Sequence, residues 1–344
     1  MRCIDAFVSL PNILIIVFVF KVGFHNSLKA SATMSTTKVK TIRDFGYDFN
    51  AEGKLRKIDP QSGEPGDEPF DFNISKDHAT NQRNYEALGE TITDRVYELL
   101  EENGLHKIYV PHNIPKEQAT FVFANKKDLS GSKKLMVLIH GSGVVRAGQW
   151  ARSLIINHSL DHGTQLPYIK KAIEQGYDVL IANTNDNYRN IDGVERRIPQ
   201  SGSPTEHGAT IWEKYVMGSN PEAVSIVAHS YGGVVTLFLA KKYPQFFSDK
   251  VFAIGFTDSV HSMSGMPDGV REYLRNVTRN WVTSTKPLDE KLDSSSGDVL
   301  RYSAGHTKHE WTSYACISAL FKFFETKYED FRTNPKTKKQ KVEL

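Results

Sequence analysis

The chain has 344 residues, 39% hydrophobic and 11% aromatic, so it can bury one sizeable core and is not compositionally disordered. Its 43 basic and 40 acidic residues give a net charge of +3, which is too balanced to indicate a nucleic-acid binder. The two cysteines are Cys3, within a leader-like segment, and Cys316, so no intrachain disulfide is expected in the mature chain. We expect one domain of about 250 residues with tails.

Residues 1–32 have the features of a secretory leader. The apolar run from Ala6 to Phe20 is shorter than the roughly 20 residues that cross a bilayer, and "ASA" at 30–32 has the small-residue form of a cleavage site. We therefore predict a signal peptide and no membrane span in the mature chain. A buried core helix is the alternative for the apolar run.

An irregular polar extension is predicted for residues 33–85, because "DPQSGEPGDEPFDF" is dense in proline, glycine and acidic residues. Apolar residues then recur at helical spacing from Tyr85 to Leu100, and Gly104 follows as a cap, which predicts a helix. The strands "KIYVP" and "TFVFA" come next.

A regular alternation of strands and helices fills the rest of the predicted domain, residues 86–331. Short apolar runs end in polar or glycine residues, as in "KLMVLIHGSG", "DVLIANTN", "AVSIVAHS", "KVFAIGFTDS" and "VLRYSAGH". Helical stretches such as "QLPYIKKAIEQG" and "GVVTLFLAKKYP" separate them. This pattern predicts a single α/β domain with a mostly parallel sheet and helices on both faces, and ligands in such folds gather at the carboxyl ends of the strands.

The stretch "AHSYGG" places Ser230 between an apolar strand and a helix. This context is typical of the nucleophile elbow of α/β-hydrolases, in which small flanking residues let strand and helix approach closely. Ala228 and Gly232 meet that requirement. Ser230 is the candidate nucleophile, and a polar residue in a buried turn is the alternative.

Backbone amides near Ser230 are candidate oxyanion donors. We predict that Tyr231 and one of Gly141, Ser142 and Gly143, in the "HGSG" stretch after a strand, supply them. A dinucleotide fingerprint is disfavoured because Arg146 stands where glycine would be required.

A general base and an orienting acid are also needed. His306 and His309 follow the last predicted strand, and Asp258, with His261 close by, ends the strand "VFAIGFTD". Only two strands are predicted after the elbow strand, so Asp258 lies one strand earlier than the usual acid. Asp289 is the reserve candidate for the acid.

No cofactor or metal site is predicted. "HEWTS" lacks the second histidine of a zinc-binding helix, and no histidine or cysteine pair has zinc spacing. No lysine follows a glycine-rich loop where a phosphate-binding loop requires it.

The tail, residues 332–344, is basic and ends in "KVEL", which resembles a retrieval address of the endoplasmic reticulum. Glycosylation triplets begin at Asn73, Asn157 and Asn276. Together with the leader they predict a lumenal protein. Initiation at Met34 and a basic nuclear address in the tail are the alternative, which leads to nucleus or cytoplasm.

Several stretches together resemble the argonaute-binding "arb-two" domain family, also called the cotranscriptional regulator or family-with-sequence-similarity one-seven-two group. They include "YEALGE", "KLMVLIHGSGVVRAGQWAR", "AHSYGG", "TDSVH" and "SAGHTKHEWTS", and the resemblance covers about residues 40–330. It implies an α/β-hydrolase-like fold, association with argonaute proteins, heterochromatin and splicing, and a hydrolase activity. The family pattern retains Ser230, Asp258 and His309, and it selects His309 as the base because the position of His306 varies.

Two functions follow as expectations. One is a serine hydrolase that cleaves an ester, thioester or amide of unknown identity through an acyl-enzyme. The other is a non-catalytic adaptor that binds argonaute, chromatin or splicing partners. This chain lacks the long charged insertion that animal relatives carry after "DVLIANTN", which bears on the adaptor function.

Overall fold

The computed structural model describes residues 40–333. The predicted leader, Met34 and the "KVEL" end lie outside these residues. The strands are β1 (Tyr47–Phe49), β2 (Leu55–Lys57), β3 (His106–Val110), β4 (Thr120–Ala124), β5 (Lys134–Ile139), β6 (Asp178–Ile181), β7 (Tyr188–Ile191), β8 (Val194–Arg197), β9 (Ala223–His229), β10 (Val251–Thr257), β11 (Thr278–Val282) and β12 (Leu300–Ser303). The α-helices are α1 (His78–Glu102), α2 (Arg152–Asn157), α3 (Leu160–Gly163), α4 (Leu166–Glu174), α5 (Pro204–Ile211), α6 (Gly232–Lys242), α7 (Pro244–Lys250), α8 (Asp268–Val277), α9 (Thr312–Ala315) and α10 (Ile317–Thr333).

The central sheet has eight strands in the order β12-β11-β10-β9-β5-β6-β4-β3. The strands from β12 to β6 pair in parallel, whereas β4 runs antiparallel to both of its neighbours. Helices cover both faces, and alternate residues of β5 enter different cores. Val137 packs with the core of α5 to α8, while Met136 packs with the core of α4 and α10. The predicted α/β-hydrolase-like fold is therefore confirmed.

The segment before α1 is more ordered than its composition indicated. β1 and β2 form an antiparallel pair, and Ile42, Tyr47 and Leu55 are buried with α1 residues in a separate small core. The prediction of an irregular stretch was wrong for β1 and β2, because these few apolar residues find their partners on elements distant in sequence, whereas no helix or named strand lies between Lys57 and His78. α1 begins at His78, earlier than predicted, because Asp77 accepts hydrogen bonds from the first-turn amides and caps the helix.

One strand escaped the sequence analysis. β11, "TRNWV", lies between β10 and β12, so three strands follow the elbow strand rather than two. Arg279 and Asn280 interrupt its apolar pattern. The guanidinium of Arg279 lies over the rings of Tyr302 and Phe323, and Asn280 accepts a hydrogen bond from the Ser259 amide. These partners come from other elements, so the local pattern gave no strand signal.

None of the helices within residues 40–333 combines the length and the apolar character that crossing a membrane requires.

Candidate active site

Ser230 occupies a sharp turn between β9 and α6. Its φ is +50°, in the left-handed region that L-residues other than glycine seldom adopt. Its amide donates to the carbonyl of Thr257 at the end of β10, at 3.1 Å. A Cβ at Gly232 would lie 2.5 Å from the carbonyl oxygen of Ile139, so α6 starts against the backbone of β5. This is the geometry of a nucleophile elbow.

His309 and Asp258 are brought together from positions 51 residues apart. The Nδ1 of His309 lies 2.7 Å from the Oδ2 of Asp258, and the Oδ1 of Asp258 accepts a bond from the Thr283 amide at 3.3 Å. In a neutral imidazole that donates through Nδ1, Nε2 carries the lone pair. Asp258 therefore fixes the tautomer that a general base requires.

The candidate base, His309, lies beside the elbow. The ring of His309 packs on the ring of His229, the residue before Ser230, with centroids 4.6 Å apart. Ser230 Oγ and His309 Nε2 are not hydrogen-bonded to each other in this structure, and bonds of this kind often tighten only when substrate is bound.

The acid lies one strand earlier than usual, as the sequence indicated. Asp258 follows β10, the first strand after the elbow strand, and His309 follows β12, the third. The φ of Asp258 is +48°, and its amide donates to the carbonyl of Trp281 on β11 at 2.7 Å. Only the number of strands after the elbow strand differs from the prediction, because it is three and not two.

The competing histidine and acid point elsewhere. His306 stacks on Trp311, with centroids 4.8 Å apart, and its Nδ1 accepts a bond from the Lys308 amide at 3.1 Å. Asp289 accepts a hydrogen bond from the indole nitrogen of Trp281 at 2.9 Å. Neither residue is hydrogen-bonded to a member of the Ser230, His309 and Asp258 group.

His261 belongs to a second chain of polar contacts that the sequence analysis missed. Its Nδ1 lies 2.8 Å from Ser259 Oγ, and its Nε2 lies 3.3 Å from Asp298 Oδ1. These contacts tie the segment after Asp258 to the segment before β12. The signal in the sequence was only the proximity of His261 to Asp258.

The loop that carries the predicted oxyanion donors lies next to the elbow. A Cβ at Gly141 would lie 3.0 Å from the Cβ of Ser230, so the loop after β5 touches the candidate nucleophile. Within residues 40–333, the amides of Ser142, Gly143 and Tyr231 have no hydrogen-bond acceptor, and Ser142 and Gly143 are exposed. Unpaired amides of this kind are suited to bind a developing negative charge.

Three histidines are buried beneath the site. Burial lowers the pKa of His140 to about 4 and that of His207 to about 3. Burial, aided by nearby His309, lowers the pKa of His229 to about 3. All three are therefore neutral at pH 7, and the Nδ1 of His229 donates to the Thr257 carbonyl at 2.8 Å.

Residues 40–333 contain no group of three or more His, Cys, Asp or Glu side chains arranged to hold a metal ion. The three asparagines of the glycosylation triplets, Asn73, Asn157 and Asn276, are all exposed.

Comparison with known proteins identifies the family. Residues 39–288 match the Arb2 domain. The chain is 40% identical over 338 residues to the mouse "Cotranscriptional regulator ARB2A", covering 83% of this chain and 80% of the mouse protein. It is 36% identical over 299 residues to the Caenorhabditis elegans "FAM172 family protein homolog Y75B8A.31", covering 84% and 88% of the two chains.

Two solved structures are also similar. The histone deacetylase Clr3 has a TM-score of 0.47 at 12% identity over 78% of this chain and 47% of that chain. A protein from Thermoplasma acidophilum that is called a "predicted CIB-like hydrolase" has a TM-score of 0.37 at 14% identity over 66% of this chain and 98% of that chain. The Arb2 domain match, together with these curated relatives, confirms the resemblance read from the motifs: the chain belongs to the Arb2 family.

Proposed function

We propose that this protein is a serine hydrolase that cleaves a small ester, thioester or amide through an acyl-enzyme. One observation carries the proposal. The 2.7 Å bond between His309 and Asp258 stands beside a serine whose backbone is held in the left-handed conformation of an elbow. A residue held in a strained conformation at the end of a parallel strand is typical of a catalytic site.

Each group has a role in the proposed reaction. Ser230 Oγ attacks the substrate carbonyl carbon, its proton passes to His309 Nε2, and the carbonyl electrons move to the oxygen. The amides of Tyr231 and the loop after β5 bind that oxyanion. The tetrahedral intermediate collapses, and the leaving group departs with the proton from His309. Water, deprotonated by His309, then attacks the acyl-enzyme and restores Ser230.

An alkyl fluorophosphonate probe tests the nucleophile. The Oγ–P bond forms, the P–F bond breaks, fluoride leaves, and the Ser230 proton passes to His309. We expect the wild type to be labelled, Ser230→Ala to be unlabelled, and His309→Ala to react about 10³-fold or more slowly.

His306→Ala is the matched control, because His306 lies in the same loop and is not bonded to Asp258 or Ser230. It should label at the wild-type rate. A folded wild-type protein that resists the probe would reject the proposed hydrolase, and equal loss in His306→Ala would reject His309 as the base.

A second candidate function is suggested by the curated relatives, which are called cotranscriptional regulators. In this alternative the chain is an adaptor for argonaute, chromatin or splicing proteins, and the hydrolase-like site does not turn over substrate. The fold is compatible with both functions. If the Ser230→Ala variant still captures these partners, partner binding does not depend on the nucleophile. The two functions are then separable at this one residue.

The compartment remains a proposal, supported by the leader-like segment, "KVEL" and the exposure of Asn73, Asn157 and Asn276. We propose that the full-length product enters the endoplasmic reticulum and carries sugar on at least one of these asparagines. Its gel mobility should increase after endoglycosidase treatment and not in a chain begun at Met34. Unchanged mobility with nuclear location would favour the Met34 start.

A further inference from the structure

The side chain of Asn185 reaches from the loop after β6 into the loop after β5. Its Nδ2 lies 2.9 Å from the carbonyl oxygen of Gly141, 3.2 Å from that of Gly143 and 3.1 Å from that of Val145. An amide nitrogen carries two N–H groups, so the three carbonyls share them. The Asn185 side chain is therefore hydrogen-bonded to every second carbonyl group of the 141–145 loop.

The orientation of the amides follows from these bonds. In a trans peptide group the C=O of one residue and the N–H of the next point in opposite directions. When the Gly141 and Gly143 carbonyls face Asn185, the N–H groups of Ser142 and Val144 face away from it. Neither N–H has an acceptor within the described residues, 40–333.

Packing holds the ends of this loop, where Gly141 and Val145 are buried, but not its middle. Ser142, Gly143 and Val144 are exposed, and Val144 is 54% exposed. Hydrogen bonds from buried neighbours take that role instead. His140 Nδ1 donates to the Gly141 carbonyl at 2.8 Å, and Arg152 donates to the Val144 carbonyl at 3.1 Å.

The loop that carries these amides begins close to the candidate nucleophile, because a Cβ at Gly141 would lie 3.0 Å from the Cβ of Ser230. We propose that Asn185 is a positioning residue for the oxyanion site, which holds the N–H of Ser142, followed by that of Val144, toward the oxygen of the bound intermediate. This inference rests on the proposed hydrolase function. It selects Ser142 and Val144 as the amides that Asn185 orients, rather than Gly141 and Gly143.

The test separates the rate of bond formation from binding. Asn185→Asp keeps the shape of the side chain and puts a carboxylate oxygen against three carbonyls, while Asn185→Ala removes the donors. With the alkyl fluorophosphonate, we expect kinact to fall by about 100-fold in both folded variants, the order found when one oxyanion donor is lost. The KI should change only a few-fold, since Asn185 supports the loop and not the ground-state complex.

Asn125→Asp provides the control for a general loss of stability. Asn125 bonds to Asp178 and Val179 at the amino end of β6, the end of the sheet opposite the site, so the same chemical change there leaves the loop intact. Its kinact should equal that of the wild type even if its unfolding midpoint falls as far as that of Asn185→Asp.

The outcomes are distinct. Wild-type labelling with an unchanged kinact in the folded Asn185 variants would overturn the positioning role and leave the hydrolase standing. A kinact that falls in Asn125→Asp in proportion to its stability would overturn the positioning role in the same way. A wild type that does not label rejects both proposals.

Discussion

Ser230, the proposed nucleophile, has a backbone conformation that costs free energy. Its φ of +50° suits glycine, which has no Cβ, better than alanine or serine. We therefore expect Ser230→Gly to be more stable than Ser230→Ala by about 1 kcal/mol, although both lack the hydroxyl. The free energy of unfolding in urea measures the difference.

Thr326 gives the opposite comparison in the same protein. It is an exposed residue in the interior of α10, where glycine is about 1 kcal/mol worse than alanine. Thr326→Gly should therefore be less stable than Thr326→Ala. If alanine is also preferred at position 230, the left-handed strain at the elbow is absent.

The sequence identified the candidate residues at the ends of strands. It did not identify the residues that hold the candidate site in position. Ser230, Asp258 and His309 each follow a recognisable strand or loop, so their meeting was predictable from the topology of a parallel sheet. Asn185 and His229 carry no such mark. Their partners are backbone carbonyls, whose direction is set only when neighbouring loops come together.

At the scale of elements, the approach of α6 to β5 depends on Gly232. A methyl group there would lie 2.5 Å from the Ile139 carbonyl oxygen and 2.9 Å from that of His140, and neither backbone atom can move without moving β5. We expect Gly232→Ala to lower the free energy of unfolding by about 3 kcal/mol, near the upper end for overpacking, despite the higher helix propensity of alanine.

Gly66→Ala is the control for that change. Its added methyl would meet the Lys57 carbonyl oxygen at 3.5 Å, an ordinary contact, and Gly66 does not have a positive φ. Its stability should stay within about 0.5 kcal/mol of the wild type. Similar unfolding curves for the two variants would mean that α6 does not pack as closely as described.

Elements with continuous apolar character were predictable, and those stabilised by distant partners were not. β9 and β10 are buried at every position, as their sequences indicated. β11 has three polar residues in five, and β1 and β2 are only three residues long. Their pairing depends on the surfaces of elements that are distant in sequence. A local sequence pattern does not contain that information.

The molecule as a whole should be sensitive to acid because three histidines within residues 40–333 are buried, namely His140, His207 and His229. Their folded pKa values of about 3 to 4 lie below the ordinary 6.5, so between these values the unfolded state binds protons that the folded state excludes. The stability that these neutral histidines contribute is thus fully present above pH 6.5 and is lost as the pH falls toward 4. Each histidine contributes a slope of about 1.4 kcal/mol per pH unit.

His207→Gln isolates one of these contributions. His207 Nε2 accepts from the Asn183 amide at 3.0 Å, and a glutamine oxygen can accept the same bond without titrating. We expect the dependence of unfolding free energy on pH to be shallower by about 1.4 kcal/mol per unit between pH 6 and 4.5. Above pH 7.5 the two slopes should coincide. Parallel curves in the acid range would contradict the assignment.

The position of Asp258 has a consequence for how this architecture can diversify. The proposed nucleophile and acid follow two strands that are hydrogen-bonded neighbours, with Thr257 in register with His229. The connection from 284 to 299, between β11 and β12, therefore carries neither the proposed nucleophile nor the proposed acid. Sequence gained or lost there would leave the spacing of Ser230 and Asp258 along the chain unchanged, so this connection, like the one after β6, is a place where the length of the chain can vary while the proposed reactive group is kept.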